Sequence, residues 1–288
     1  MKPLGPRPNP LSLGQRIADY GFRAPALFLA TGVYGSLALA VSLFEKSGRL
    51  QHRIAQSWAR VCLRCAGTRV SVLNPEHLQP QTAVYVCNHL SYMDTPAIFG
   101  SLPFQFRIVA RQDLWKLPFI GWYLERSGQV GVDLSDPRAS ISSLLGAVRT
   151  LKAGMPLFIF PEGGRSPSGH LQPCMKGPAF MAIRAQVPVV PMALIGTWEL
   201  LPIHSSQFYP VPVTLAVGEP ISTAGMTMKQ VDQLTADLED RIARLYYEHS
   251  WMERPPLPAP AESSPESVTV PQFQSLSPRN ENQEASRR

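Results

Sequence analysis

Cysteine is scarce in this chain, with 4 in 288 residues. Cys62 and Cys65 form a lone C-x-x-C inside SWARVCLRCAG, without the second pair that a zinc site needs. That segment reads as a helix with two thiols on an apolar face, while Cys87 and Cys174 stand alone. Nothing here suggests a disulfide scaffold, which fits a reducing compartment. Basic blocks interleaved with aromatics are also missing, so the net charge of +6 does not signal a nucleic-acid binder. A membrane surface or a phosphorylated substrate suits that charge better. The chain has no G-x-x-x-x-G-K-[ST] phosphate loop. It has no G-x-S-x-G elbow either, which disfavours a serine esterase of the α/β-hydrolase kind. No His, Cys and Asp cluster has metal-ligand spacing.

What the sequence does have begins with an uncharged run. Ala24 to Phe44, APALFLATGVYGSLALAVSLF, carries no charge over 21 residues. At ~1.5 Å per residue it is long enough to cross a bilayer core of ~30 Å. Its length and distance from Met1 separate it from a cleaved signal peptide. Lys2, Arg7, Arg16 and Arg23 precede it, and Lys46, Arg49, Arg53, Arg60 and Arg64 follow it. Positive charge on both flanks gives no orientation, so a single span and an in-plane helical hairpin both fit. Next, LQHRIAQSWARVCLRCAG sets Ile54, Trp58, Val61 and Cys65 at helical spacing with arginines between them. That pattern predicts a helix lying on an anionic membrane. Because both flanks look cytoplasmic, the expected location is the cytoplasmic face of the cell inner membrane.

From about Thr68, short apolar runs alternate with helical patterns. AVYV, FRIV, QVGV, PLFIF, VPVVPMALI and VPVTLAV read as strands. RASISSLLGAVRTLKAG reads as a helix ended by Gly154, and a capping box from Thr227 to Gln230 opens another. Interleaved strands and helices predict an α/β body. Beyond Glu253 the composition turns to Pro, Ser and Glu, which cannot build a core. The expected division is an extension at 1–23, a membrane-associated helical segment at 24–66, a catalytic domain at 67–253 and a disordered tail at 254–288.

Two motifs follow apolar strands, where α/β sheets usually hold their active sites. In VCNHLSYMDTP, His89 and Asp94 are five residues apart. A neutral imidazole can accept a proton from a hydroxyl, and a carboxylate on its other nitrogen fixes the tautomer. The same spacing also suits a turn histidine beside Asp94 as a helix cap. Ser91, within that loop, reads as structural. In IFPEGGRSPSG, Gly163 and Gly164 would let backbone N–H groups approach an anion. Arg165 offers a bidentate grip on phosphate. Glu162 would orient Arg165 or accept a hydrogen bond from a substrate hydroxyl; a surface Glu–Arg pair is the plainer alternative.

NHLSYMD (Asn88–Asp94) resembles the NHx4D motif of the 1-acylglycerol-3-phosphate acyltransferase family, and FPEGGRS (Phe160–Ser166) is similar to its FPEGTRS block. PVVPMAL (Pro188–Leu194) looks like the fourth block, and VARQDLWKLPFIGWYL resembles a segment written VAKxxLxxxPxxGW. Order and spacing agree from Val84 to Ile195. The resemblance implies a mixed sheet flanked by helices, as in glycerol-3-phosphate acyltransferase. It also implies acyl transfer from acyl-CoA or acyl carrier protein to lysophosphatidate at a membrane. The thioester donor is already activated, so no metal or other cofactor is implied. His89 would be the general base and Asp94 its orienting partner. Arg165 and Arg111 would bind the acceptor phosphate, Glu162 would support Arg165, and Gly163 and Gly164 would shape the loop. The Pro188–Pro191 block would line an acyl-chain groove. The family's second motif, G-x-I-F-I-x-R, departs here, since Leu134 stands where arginine is expected. Either Arg138 reaches the same phosphate, or the acceptor carries another headgroup, as in a lyso-ornithine lipid. Gly164 replaces the family's threonine.

Three readings compete. One is an acyltransferase, the second a lipid hydrolase whose dyad activates water, and the third a lipid-binding protein without catalysis. Thioester loss without an acceptor would mark the second, and binding without acyl exchange the third.

Overall fold

The computed structural model describes residues 12–78, 82–117, 119–133 and 137–255. The segments expected to form the start of the extension and nearly all of the tail therefore lie outside the described residues, as does Leu134. In chain order, α1 (Leu13–Ala18) passes through a π-helical turn (Asp19–Arg23) into α2 (Ala24–Ser42), followed by α3 (Arg49–Cys65) and β1 (Val70–Leu73). Then come β2 (Val84–Cys87), α4 (Asp94–Ser101), β3 (Arg107–Arg111), α5 (Ile120–Arg126), β4 (Val130–Val132) and α6 (Pro137–Lys152). The remainder is β5 (Leu157–Ile159), α7 (Gly177–Ala185), β6 (Val189–Ile195), α8 (Thr197–Leu200), β7 (Val213–Val217) and α9 (Val231–His249).

The strands form one mixed sheet in the order β1-β7-β6-β2-β5-β3-β4. From β6 to β4 every neighbour is parallel, so those five strands share one carboxyl-terminal edge. β7 is antiparallel to β6, and β1 follows β7 in parallel. Central strands covered on both faces must be apolar throughout, and β2 and β6 are buried along their whole length. The pleat divides them between two cores. Tyr85 and Cys87 join Phe158 and Met192 against α3 and α4. Val84 and Val86 join Leu157 and Val189 against α6, α7 and α9. The expected capping box is present, with Gln230 accepting the Thr227 N–H at 2.9 Å.

The amino-terminal residues form one long exposed helix and a second that folds back onto it. Residues Leu13–Val41 form a continuous helix, long and apolar enough to cross a membrane, with little of it buried. Phe28, Leu29, Val33 and Leu37 are exposed along it. The chain turns at Gly48, where a φ of 72° and the Arg107 guanidinium, 2.5 Å from where a Cβ would stand, both call for glycine. Arg107 is buried and donates to the Ser47 carbonyl at 2.8 Å and to the Ser127 carbonyl, fastening this turn to the sheet. α3 then folds back, with Trp58 Nε1 donating to Thr31 Oγ1 of α2 at 3.0 Å. Ile54, Ala55, Ala59, Cys62 and Leu63 are buried. Of the stripe expected to meet lipid, Ile54 is buried while Trp58, Val61 and Cys65 are partly exposed, and the arginines face outward. An amphipathic period shows that a helix needs an apolar partner without saying which.

Candidate active site

Val86 lies opposite Ile159 in the parallel β2–β5 pair. His89 and Glu162, each three residues further on, therefore leave the sheet together at one edge. Asn88 fixes the exit of β2. Its amide accepts from Leu194 N–H at 2.7 Å and donates to the Leu194 carbonyl at 3.0 Å, joining β2 to β6.

His89 Nδ1 is 2.8 Å from Asp94 Oδ2. That same oxygen accepts the backbone N–H groups of Leu90 at 2.6 Å and Ser91 at 2.8 Å. Asp94 opens α4 but does not cap it by bonding forward, as the sequence suggested; it bonds back into its own loop, which brings the carboxylate under the histidine. Its side chain is fully buried, whereas the imidazole is 17% exposed. The ring stacks on Phe160 at 4.0 Å with planes 10° apart. Ser91 is buried, donates to the Leu201 carbonyl and accepts from Met93 N–H at 3.1 Å, a structural role.

Glu162 forms no ion pair with Arg165, the support expected of it. Its Oε1 accepts the His89 backbone N–H at 3.0 Å, and its Oε2 accepts Gln172 N–H at 3.2 Å. Burial pushes its carboxyl up to about 8, against the pull of those two N–H donors. The loop is tied again where Ser166 N–H donates to the His89 carbonyl at 2.9 Å. Both backbone groups of His89 are thereby held by the P-E-G-G-R-S turn. Arg165 places its guanidinium 3.9 Å from the centre of the Tyr92 ring. Gly163 has φ 70°, and a Cβ there would crowd Met175, so the turn requires glycine. A Cβ at Gly164 would meet nothing within 4 Å, so the family's threonine would fit.

The imidazole, the carboxylate that braces it and the Arg165 guanidinium over Tyr92 stand in the two loops that leave this sheet edge. Residues 69–195 match the sequence model of the family described as Acyltransferase. The likeness to that family spans the dyad loop and the P-E-G-G-R-S turn alike. A 1-acyl-sn-glycerol-3-phosphate acyltransferase of Chlamydomonas reinhardtii is 33% identical over 75% of this chain and 64% of its own length. A chloroplastic enzyme of the same name from Brassica napus is 33% identical over 57% of this chain and 48% of its own. The chain thus spans between about half and two thirds of the length of these curated relatives. The crystal structure of the 1-acyl-sn-glycerophosphate acyltransferase PlsC from Thermotoga maritima matches with a TM-score of 0.69 and 26% identity. That match covers 83% of this chain and 100% of that one.

The remaining family positions are more scattered. Arg111 ends β3, two strands from β2 on the same edge. Its guanidinium forks onto Asp113, Nε to Oδ1 at 3.2 Å and Nη2 to Oδ2 at 2.8 Å. The fork uses Nε and Nη2 and leaves the Nη1 donors outside the pair. Arg138 is exposed in the first turn of α6, with no contact that brings it to His89. The Pro188–Pro191 block does not line a groove. It enters β6, which is buried on both faces, because a central strand must give both sides to the core. Asn88, Phe160, Gln172 and Ser166 all bear on the dyad, and sequence reasoning gave none of them a role. Asn88 stood within a quoted motif, but its role requires β6 as neighbour.

Proposed function

We propose that this protein transfers a fatty acyl group from acyl-CoA or acyl carrier protein to the free hydroxyl of 1-acylglycerol 3-phosphate, giving phosphatidic acid. The observation that carries this is the Nδ1 bond to Asp94, which leaves Nε2 to meet a hydroxyl at the open edge beside Arg165. Nε2 takes the hydroxyl proton as the oxygen attacks the thioester carbonyl. The C–S bond then breaks, and the imidazolium returns its proton to the departing thiolate. Asp94 stabilises the imidazolium between those steps. Arg165 binds the acceptor phosphate, joined by Arg111. The named activity of the relatives supports the same acceptor. Purified protein supplied with labelled acyl-CoA and a panel of lysolipids should label phosphatidic acid only with lysophosphatidate present. Preferred labelling of lyso-ornithine lipid, or thioester loss without an acceptor, would replace this reading.

The lipid surface enters through the helices. We propose that the exposed helix of α1 and α2 and the outer face of α3 seat the protein on an anionic bilayer at the cytoplasmic face of the inner membrane. Arg49, Arg53, Arg60 and Arg64 are exposed, and at ~100° per residue they fall within about 60° of arc. α3 contains no acidic residue, and none of these arginines forms an ion pair among the described residues. Each cation near an anionic surface is worth about 1 kcal/mol. R53E/R60E should therefore lower binding to phosphatidylglycerol vesicles by about tenfold or more, and leave binding to phosphatidylcholine vesicles unchanged. Co-sedimentation at low salt measures both, and equal loss on the two lipids would remove the electrostatic account.

A further inference from the structure

Between His89 and Asp94 the chain buries Leu90, Ser91 and Met93, yet leaves Tyr92 half exposed. An aromatic ring facing outward amid buried neighbours needs a reason, and the Arg165 guanidinium 3.9 Å above its centre supplies one. We propose that Tyr92 is a positioning residue that holds Arg165 for the acceptor's phosphate, an inference that rests on the reading above.

Each member of the stack sits beside a fixed point. Ser91 is held by the Leu201 carbonyl and by Met93 N–H, while its own N–H is bonded to Asp94. Tyr92 therefore leaves a rigid backbone. Ser166, next to Arg165, donates to the His89 carbonyl at 2.9 Å. Preceding Arg165, however, is Gly164, which meets no neighbour on its Cβ side, so the turn alone holds the long side chain loosely. The contact places the guanidinium carbon over the ring without using an N–H donor on an acceptor atom, so those donors can meet phosphate oxygens. The loop carrying the base would thus also aim the cation, setting the hydroxyl and the phosphate of one acceptor at a fixed separation. This gives the exposed middle position of the x4 segment a role distinct from proton transfer.

The test is steady-state kinetics of full-length Y92A, Y92L, Y92F and Y92W, with lysophosphatidate and acyl-CoA varied in turn. Loss of a cation–π contact of this kind corresponds to roughly 3- to 30-fold in binding. Y92A and Y92L should raise KM for lysophosphatidate by that factor, with kcat and the KM for acyl-CoA within twofold of wild type. Y92F and Y92W keep a ring face and should stay near wild type. Y92L retains apolar bulk, so it serves if Y92A folds poorly. Unchanged lysophosphatidate KM in Y92L, or equal losses in kcat and both KM values, would overturn the proposal. A wild-type protein inactive on lysophosphatidate would instead overturn the activity beneath it.

Discussion

His89→Ala should remove lysophosphatidate-dependent thioester consumption, lowering kcat by about 10²–10⁴-fold, the usual contribution of a general base. The fold should survive the change. His89 is held by its backbone, through N–H to Glu162 and carbonyl to Ser166, and alanine keeps both groups. Asp94 Oδ2 retains the N–H donors of Leu90 and Ser91. What disappears is one side-chain hydrogen bond and the stack on Phe160, at a cost of about 1–2 kcal/mol. Thermal denaturation near wild type alongside lost turnover would place the defect in chemistry. Wild-type turnover in the mutant would remove His89 from the reaction.

The dyad was legible because its two members lie within one short loop after an apolar strand, and a single turn suffices to join them. Glu162 was read as a site residue, yet its work was not legible. That work depends on β5 lying beside β2 in register, so that two residues 73 apart in sequence emerge together. Strands of β type were visible as apolar runs, but β1 offers only a few such residues and gains its place by pairing with β7. The reversal of β7 against β6 is likewise a pairing property, absent from either segment alone. α3 shows the same limit, since its period marks a helix with an apolar stripe, while the burial of Ala55, Ala59 and Leu63 follows from the elements packed against it. An aromatic in a loop, such as Tyr92, carries no signal of its own in the sequence, because its meaning comes from the burial of its neighbours.

Asp94 allows charge to be separated from geometry. All three donors in the loop, His89 Nδ1 and the N–H groups of Leu90 and Ser91, converge on Oδ2. Oδ1 is buried and has no hydrogen-bond partner among the described residues. Asp94→Ala strands two buried N–H groups at about 1–3 kcal/mol each. It should cost about 2–6 kcal/mol of stability, which for a chain of this size lowers Tm by roughly 5–20 °C. Asp94→Asn can set its amide oxygen at the Oδ2 position and keep all three bonds, burying an NH2 where Oδ1 was. Its stability loss should be the smaller of the two. Yet kcat should still fall by about 10²–10⁴-fold, because a neutral amide cannot stabilise the imidazolium formed as the hydroxyl proton moves. Denaturation curves and kcat measured on both variants decide the matter. An active D94N would show that the loop needs only an acceptor here, and that the charge of Asp94 plays no part in the transfer.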